Sequence, residues 1–170
     1  MKILPIVTGS ETEILRQKAQ KVKDPLAPEI QELIQDMFAS MHAAEGLGLA
    51  APQIGRSLRL CVIELDGERM VLINPYITAA SKEKIPFEEG CLSLPGEFLW
   101  IDRSEKITVR YQDENGVARK MKASGLLSVA LQHEIDHLEG VLILDRFRSQ
   151  KKRTSNTSLG ISSRKPSYVA

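Results

Sequence analysis

The spacing of apolar residues predicts two long helices, one in each half of the chain. Over residues 28–44 the apolar positions recur at steps of three and four, which is typical of a helix that packs one face on a core; they are Ile30, Leu33, Ile34, Met37, Phe38 and Met41. The second helix is predicted from Ser124, a suitable N-cap, to Gly140, a suitable C-cap. A shorter helix is predicted over residues 11–20.

Between these helices the pattern favours β-strands. Two short runs, Asp66-Gly67 and Glu114-Asn115-Gly116, have the composition of hairpin turns. The strand-like stretches cover residues 58–65, 70–78, 85–87, 107–112 and 118–123. We therefore predict an α+β fold with a strand-rich core, flanking N-terminal helices and one central helix that enters the core.

Charge is distributed unevenly along the chain. The 170 residues are 42% hydrophobic and 26% charged, as in an ordinary globular domain. Residues 146–170 carry seven basic and no acidic side chains. From about residue 149 the composition is Ser, Thr, Lys and Arg with few apolar residues, which predicts an irregular or weakly packed tail. Such a tail suits a polyanionic neighbour such as RNA, and it equally suits a solvated chain end.

The sequence gives no sign of export or of a membrane segment. No apolar run approaches the length of a membrane span, and the apolar stretch at the N-terminus is too short for a signal peptide. A cytoplasmic location without a membrane partner is therefore expected. For the same reason Cys61 and Cys91 are not expected to form a disulfide. Cys61 lies in a strand-like stretch, where it is predicted to be a small buried hydrophobe.

The run from Gln132 to Gly140 predicts a metal site on the central helix. His133 and His137 are four residues apart, so a helix directs both imidazoles to one side, where they can hold a divalent metal. Glu134 would then lie where it can take a proton from a water molecule. This His-Glu-x-x-His pattern also occurs in zinc proteases, so it leaves a metallopeptidase open as an alternative function.

The third ligand separates the possible classes of metal site. One protease pattern needs a histidine where this chain has Ile143, and another needs a downstream glutamate, whereas no carboxylate follows Asp145. Two candidates remain. His42 lies on the amphipathic helix, with no glycine or turn that would direct its side chain to a metal. Cys91 follows Gly90 in a turn, where a thiolate could bind the metal. Three protein ligands with an open fourth position are typical of a catalytic site.

Three motifs in this order resemble those of the peptide deformylases: residues 46–53, residues 89–93 and residues 132–138, with Leu47 where Ile is commoner. The resemblance spans roughly residues 1–148, which we expect to be a single catalytic domain, with 149–170 as a basic, polar C-terminal tail. It implies a hydrolase that removes the N-formyl group from formylmethionine at the start of nascent polypeptides and releases formate. It also implies Fe(II) as the native ion, although Zn(II), Ni(II) and Co(II) also suit a Cys-His-His site.

The resemblance assigns roles to single residues. It implies that Cys91, His133 and His137 hold the metal and that Glu134 shuttles the proton. It further implies that the Gln53 side-chain amide and the Leu92 backbone N–H stabilise the oxyanion. The remaining predicted positions form a substrate pocket, in which the apolar stripe beside His133 would receive the methionine side chain; they are Leu47, Gly48, Glu89, Leu126, Val129 and Ala130.

Two further hypotheses concern the surroundings of the site. Glu89 and Arg103 are predicted to form an ion pair that braces the cysteine turn. A second alternative function is a metal-stabilised RNA-binding protein, which would use the basic tail and a closed site with a fourth ligand such as His42. The deformylase hypothesis places the tail near the ribosome, and the sequence leaves the oligomeric state open.

Overall fold

A five-stranded antiparallel sheet forms the centre of the computed structural model, which describes residues 1–154 and 168–169. In chain order the elements are α1 (Glu13–Arg16), α2 (Pro28–Ala43), β1 (Gly48–Ala50), a 3-10 turn (Ala51–Ile54), β2 (Leu60–Leu65), β3 (Glu68–Ala80), β4 (Lys84–Cys91), β5 (Leu94–Ser104), β6 (Lys106–Gln112), β7 (Ala118–Ser124), α3 (Gly125–Leu138), α4 (Ile143–Thr154) and β8 (Tyr168–Val169). The strand order of the central sheet is β1-β2-β3-β6-β7. The predicted α+β class is confirmed.

A second sheet carries the cysteine turn. Strands β4 and β5 pair in antiparallel register, and β8 pairs in parallel with β4 at Glu89 and Gly90. The register of β4 and β5 shifts between Gly90 and Cys91, so the pair ends in a tight turn that begins at Cys91. This sheet therefore presents Cys91 at the end of a strand, next to the central helix.

Both predicted hairpin turns are present. Asp66 and Gly67 join β2 to β3 with positive φ angles of 54° and 80°, the combination that a two-residue type I′ turn requires. The turn through Glu114 and Gly116 joins β6 to β7, where the N–H of Gly116 donates to the carbonyl of Asp113 at 2.9 Å. These turns fix the register of the sheet whose inner face holds α3.

The helix α3 is buried along almost its whole length and packs on the inner face of the central sheet. Ile107 and Val109 of β6 and Ala123 of β7 belong to one core cluster with Leu131 and Leu138 of α3. Every α3 residue from 128 to 138 is buried. Because a helix packed in this way cannot rotate without breaking the core, the side chains on it are held at fixed positions.

The C-terminal end of α3 packs closely against the N-terminal segment of the chain. The N–H of Ala19 donates to the carbonyl of Leu138 at 2.9 Å. Gly140 has a φ of +72°, and a Cβ at this position would lie 2.5 Å from the carbonyl oxygen of Arg16. Only glycine fits there, because any other residue would meet the backbone of a neighbouring segment.

The sequence pattern located most of these elements. The two long helices are confirmed, whereas the helix predicted over residues 11–20 shortens to the four residues of α1. Strand β5 was not predicted. Residues 149–154 are helical and continue α4 across the predicted boundary at 148, so this part of the expected tail is not irregular; the division into a catalytic domain and a tail stays a prediction. The rest of the tail lies outside the described residues, apart from 168–169. Within the described part of the chain, no helix is long and apolar enough to cross a membrane.

Candidate metal centre

Cys91, His133 and His137 form a buried cluster between β4 and α3. Their candidate ligand atoms all lie within 4.8 Å of one another, and Cys91 Sγ is 3.3 Å from Nε2 of His137. The three residues are at most 3% exposed. The helical spacing predicted that the two histidines would share a side of the helix, and their ring centroids are 5.1 Å apart.

The donor set fits a transition-metal ion. One thiolate and two imidazoles are soft or borderline ligands that suit Zn(II), Fe(II), Ni(II) or Co(II). Among the described residues, the cluster that could hold a metal contains three such groups. Three protein donors leave a coordination position for water or substrate, whereas a structural site usually closes with a fourth protein ligand.

Protonation of the two histidines differs in the metal-free protein. Burial lowers the pKa of His133, but its contacts with Cys91 and Glu89 outweigh that effect and raise the pKa to about 10. Burial and the neighbouring charges of His133 and Arg103 hold the pKa of His137 well below its usual value. A metal bound at this cluster would therefore displace a proton from His133.

Glu89 holds the ring of His133 in place. Its carboxylate accepts a hydrogen bond from His133 Nδ1 at 2.8 Å and two from Arg103, at 2.7 and 2.8 Å. Burial raises the pKa of the Glu89 carboxyl, but Arg103 and His133 outweigh burial and lower the pKa to about 2. Glu89 is therefore ionised, and the predicted ion pair with Arg103 is confirmed. A substrate-pocket role for Glu89 stays a prediction.

The bracing network extends beyond the residues that the sequence analysis singled out. Arg103 also pairs with Asp136 on α3, and Asp136 accepts hydrogen bonds from Arg146 of α4. Burial opposes the charge of Arg103, but Glu89 and Asp136 raise the pKa of its guanidinium. Asp136 lies three residues after His133, so the helical spacing places the two side chains on the same side of α3, next to the metal cluster. Its partners come from distant segments, which no local pattern reveals.

Glu134 lies on α3 between the two histidines and is completely buried. Cys61 of β2 is also completely buried, as predicted, and neither cysteine is in a disulfide. Burial, followed by the charge of Glu134, raises the pKa of the Cys61 thiol well above its usual value. Cys61 therefore stays a neutral thiol in the core, and it lies outside the cluster that could hold a metal.

Gln53 lies in the 3-10 turn, with its side chain directed at the cluster. Its Oε1 accepts a hydrogen bond from the N–H of Ala50 at 2.8 Å, which fixes the orientation of the amide. Its Nε2 then lies 3.8 Å from Cys91 Sγ. Leu92 directly follows Cys91, and a Cβ at Gly46 would lie 2.9 Å from Leu92 Cδ1. The three sequence motifs thus meet in space around one site.

The other predicted pocket residues lie on two elements beside the cluster. Gly48 is buried in β1, and Leu47 before it is half-buried. On α3, Val129 and Ala130 are at most 1% exposed, and Leu126 is half-buried. Leu126 and Ala130 also belong to the packing of the main core cluster. Their role in binding a substrate stays a prediction.

The two residues that bear on the alternative functions lie outside the cluster. His42 is exposed on α2, and its Nε2 lies 2.9 Å from Glu64 Oε2, so it does not supply the fourth ligand of a closed site. Ile143, at the position of a third histidine in one protease class, is a buried apolar residue at the start of α4.

Comparison with known proteins identifies the family to which the chain is related. A model of the polypeptide deformylase family matches residues 3–153. A peptide deformylase from Picosynechococcus is 46% identical over 143 residues, which cover 81% of this chain and 76% of the relative. A second, from Dictyoglomus thermophilum, is 44% identical over 141 residues, which cover 83% of this chain and 91% of the relative.

Solved structures agree in fold. The crystal structure of peptide deformylase from Thermotoga maritima superposes with a TM-score of 0.83 at 36% identity and covers 86% of this chain and 99% of its own. A peptide deformylase from Synechococcus elongatus, crystallised in complex with actinonin, gives a TM-score of 0.82 at 36% identity over 98% of this chain and 92% of its own. The chain belongs to the polypeptide deformylase family.

Proposed function

We propose that the chain hydrolyses the N-formyl group of polypeptides that begin with formylmethionine, and that Cys91, His133 and His137 hold the one metal ion that this reaction needs. The observation that carries the proposal is the convergence of these three buried donors, within 4.8 Å of one another, beside Glu134 on the same helix. A site of this kind combines an open metal with an acid-base residue.

Glu134 is the proton carrier of the proposed reaction. A bound metal supplies Lewis-acid activation of the water and of the formyl carbonyl. Glu134 accepts a proton from that water as its oxygen adds to the formyl carbon. It then donates the proton to the departing amine nitrogen as the C–N bond breaks, which yields formate and a free amino terminus. Complete burial of Glu134 favours the transfer, because it excludes bulk water as a competing acceptor.

Gln53 and Leu92 supply the hydrogen-bond donors for the negative charge that develops on the formyl oxygen. The Gln53 amide is oriented before substrate arrives, because its Oε1 is already bonded to the N–H of Ala50. Its NH2 group is thereby directed toward Cys91. The backbone N–H of Leu92 lies next to that ligand in the chain. Donors fixed in this way need no rearrangement in the transition state.

The methionine side chain is proposed to lie in an apolar pocket beside His133. Val129 and Ala130 precede His133 by four and three residues, so they share its side of α3. Leu126 continues the stripe by one turn, and Gly48 of β1 bounds the site together with Leu47, the residue before it. An unbranched thioether side chain would fill such a pocket and contact the apolar side chains of this stripe.

Fe(II) is the proposed native ion. A thiolate with two imidazoles binds Zn(II), Ni(II) and Co(II) as well. The ligands by themselves therefore support a divalent transition metal but do not select iron among these ions. Anaerobic purification followed by metal analysis tests the identity. Iron in a 1:1 ratio to protein, with activity lost in air and restored by anaerobic Fe(II), is expected. Full activity with zinc alone after aerobic purification would contradict the proposal for iron.

The activity is tested by formate release from formyl-Met-Ala, with Glu134→Gln as the matched variant. The wild-type protein should release formate stoichiometrically with new amino termini. Glu134→Gln should bind metal as well as wild type but turn over at least about 100-fold more slowly, which is the range of a lost acid-base residue. Absence of formate release from metal-replete wild type, together with cleavage of casein, would favour a metallopeptidase and overturn the proposal.

A further inference from the structure

The outer face of the central sheet, opposite α3, is strongly basic. Tyr76 of β3 is directly opposite Arg110 of β6, and Arg110 is directly opposite Lys120 of β7. Side chains directly opposite one another on neighbouring strands project to the same face. All three are exposed, Tyr76 by 52%. An aromatic ring and two cations therefore form one row across three strands.

This row borders a broad cavity of about 810 Å³ that continues past the end of the sheet to Glu139 at the end of α3, and its charged lining is almost entirely cationic. Glu139 is the carboxylate in the lining, and it already pairs with Arg59 and Lys18. The lining contains six basic residues: Lys18, Lys21, Arg59, Arg110, Arg119 and Lys120. Arg119 is neutralised by Asp113. Even with these two acids counted, the cavity retains an excess of positive charge.

In the part of the chain that the structure describes, four cations on or beside this face have no acidic partner. Within residues 1–154, no ion pair joins Lys21, Arg110, Lys120 or Lys122 to a carboxylate. Arg110 and Lys120 face each other directly, and like charges in that position reduce the stability of a sheet. A bound polyanion would remove this repulsion.

The face is separated from the metal centre by the sheet itself. Ile107 and Val109 alternate with Arg110 along β6 and point inward, where they pack in the same cluster as Leu131 of α3. A partner on the outer face would therefore leave the approach to Cys91 and His133 unobstructed. The enzyme could bind such a partner and a formylated polypeptide at the same time.

We propose that this face binds a single-stranded segment of RNA, with its phosphates on Lys21, Arg110, Lys120 and Lys122 and one base stacked on Tyr76. Grooves for single-stranded nucleic acid combine backbone-tracking cations with exposed aromatic rings, and a sheet face is a common platform for them. The exposed tyrosine beside Arg110 favours RNA over an acidic protein, because an acidic chain needs cations but no stacking surface. The site is distinct from the basic tail.

Fluorescence anisotropy of the full-length protein with a labelled oligouridine of about 12 nucleotides tests the proposal. Four phosphate contacts predict that log K falls with log[salt] with a slope of about −3, so affinity should drop about 50-fold between about 50 and about 200 mM KCl. Tyr76→Ala should weaken binding about five-fold or more without changing that slope, and Tyr76→Phe should restore it.

Charge reversal locates the site. The double variant Arg110→Glu/Lys120→Glu should weaken binding at least about ten-fold and flatten the salt slope, while formate release from formyl-Met-Ala and the unfolding midpoint stay at wild-type values. The matched control is Lys2→Glu/Arg56→Glu, which makes the same charge change at two exposed residues on the surface beside α2 and should leave binding little changed.

Three results would overturn the proposal. The first is wild-type affinity in the Arg110→Glu/Lys120→Glu variant. The second is loss of all binding in Arg164→Gln/Lys165→Gln, which would assign RNA binding to the tail. The third is competition by polyglutamate as effective as that by unlabelled oligouridine, which would indicate an acidic protein as the partner. Because formate release is measured on the same samples, failure of RNA binding is distinguishable from failure of the deformylase reaction.

Discussion

Glu89 accepts a hydrogen bond from Nδ1 of His133 at 2.8 Å, and this contact decides which nitrogen of the ring is available to a metal. An ionised carboxylate can only accept, so Nδ1 carries the proton and Nε2 is left as the ligand atom. Glu89 lies two residues before Cys91 on β4. The same strand therefore supplies one candidate ligand and the residue that orients another.

We expect the metal-free protein to lose stability in acid as Glu89 becomes protonated. Burial would raise the pKa of this carboxyl, but Arg103 and His133 lower it from 4.5 to about 2. Because the folded-state pKa lies below the unfolded value, the stabilisation is complete above pH 4.5 and is lost as the pH falls toward 2. The shift corresponds to about 3 kcal/mol at neutral pH.

Urea unfolding of wild type and Glu89→Gln, with a chelator present, measures this contribution. The difference in unfolding free energy between the two proteins should be largest near neutral pH and should shrink steadily below pH 4.5, where the Glu89 carboxyl of the unfolded wild-type chain binds protons that the folded protein does not yet bind. A difference that stays constant down to the lowest accessible pH would show that Glu89 makes no acid-sensitive contribution.

Arg103→Ala should be strongly destabilising. Arg103 is 4% exposed and pairs with both Glu89 and Asp136, so its removal leaves the buried Glu89 without its guanidinium partner and leaves Asp136 with Arg146 alone. Breaking a buried pair in this way costs about 3–5 kcal/mol. Loss of the brace on His133 should also weaken metal binding about 10- to 100-fold. Urea unfolding and competition with a chelating dye measure the two effects.

Arg119→Ala is the matched control for this network. It removes an arginine that also pairs with an aspartate at 2.7 Å, but its side chain is 54% exposed. Water replaces most of such an interaction, so the expected loss is below about 1 kcal/mol and metal affinity should not change. Equal losses in the two variants would contradict the role given to the buried network.

The parts of the site that the sequence predicted are those set by local geometry. A four-residue spacing on a helix places His133 and His137 together whatever the rest of the fold does. Gly90 before Cys91 marked a turn, and the turn is where β4 ends. The hairpin at Asp66-Gly67 followed in the same way from residues that tolerate positive φ.

The parts that could not be predicted depend on distant segments. Strand β5 begins with Leu94-Pro95-Gly96, which reads as a break, and it becomes a strand because it pairs with β4 along its length. Asp136 and Arg103 are 33 residues apart, and their contact exists only once β5 packs beside α3. Only the end of helix α4, from residue 149, looked irregular, because it is polar, whereas the apolar residues that pack this helix lie at its start: Ile143, Leu144 and Phe147.

The two cysteines should respond differently to substitution. Cys91→Ser replaces a thiolate at the cluster by a hydroxyl, which is a much poorer ligand for a soft or borderline metal ion, so metal content and activity should fall together. Cys61→Ala removes a sulfur from the core and should cost about 1 kcal/mol of stability with metal content unchanged. Metal analysis after purification distinguishes the two variants. A Cys61→Ala variant that loses its metal, with a Cys91→Ser variant that keeps it, would contradict the proposed ligand set.

Gln53 should act on turnover rather than on substrate binding. The proposed amide donor faces an oxygen that becomes negatively charged only in the transition state, so Gln53→Ala should lower kcat about 100- to 1000-fold with little change in KM. Its Oε1 also accepts from the N–H of Ala50, and the loss of that contact could disturb β1 instead.

Gln53→Glu separates these two explanations. A carboxylate keeps the acceptor for Ala50 but has no NH2 group, so activity should stay as low as in Gln53→Ala if the amide stabilises the oxyanion. Recovery of turnover in Gln53→Glu would show instead that Gln53 matters only for holding β1. Metal content and unfolding midpoint are measured in both variants, because the comparison is meaningful only when the cluster of Cys91, His133 and His137 is equally loaded.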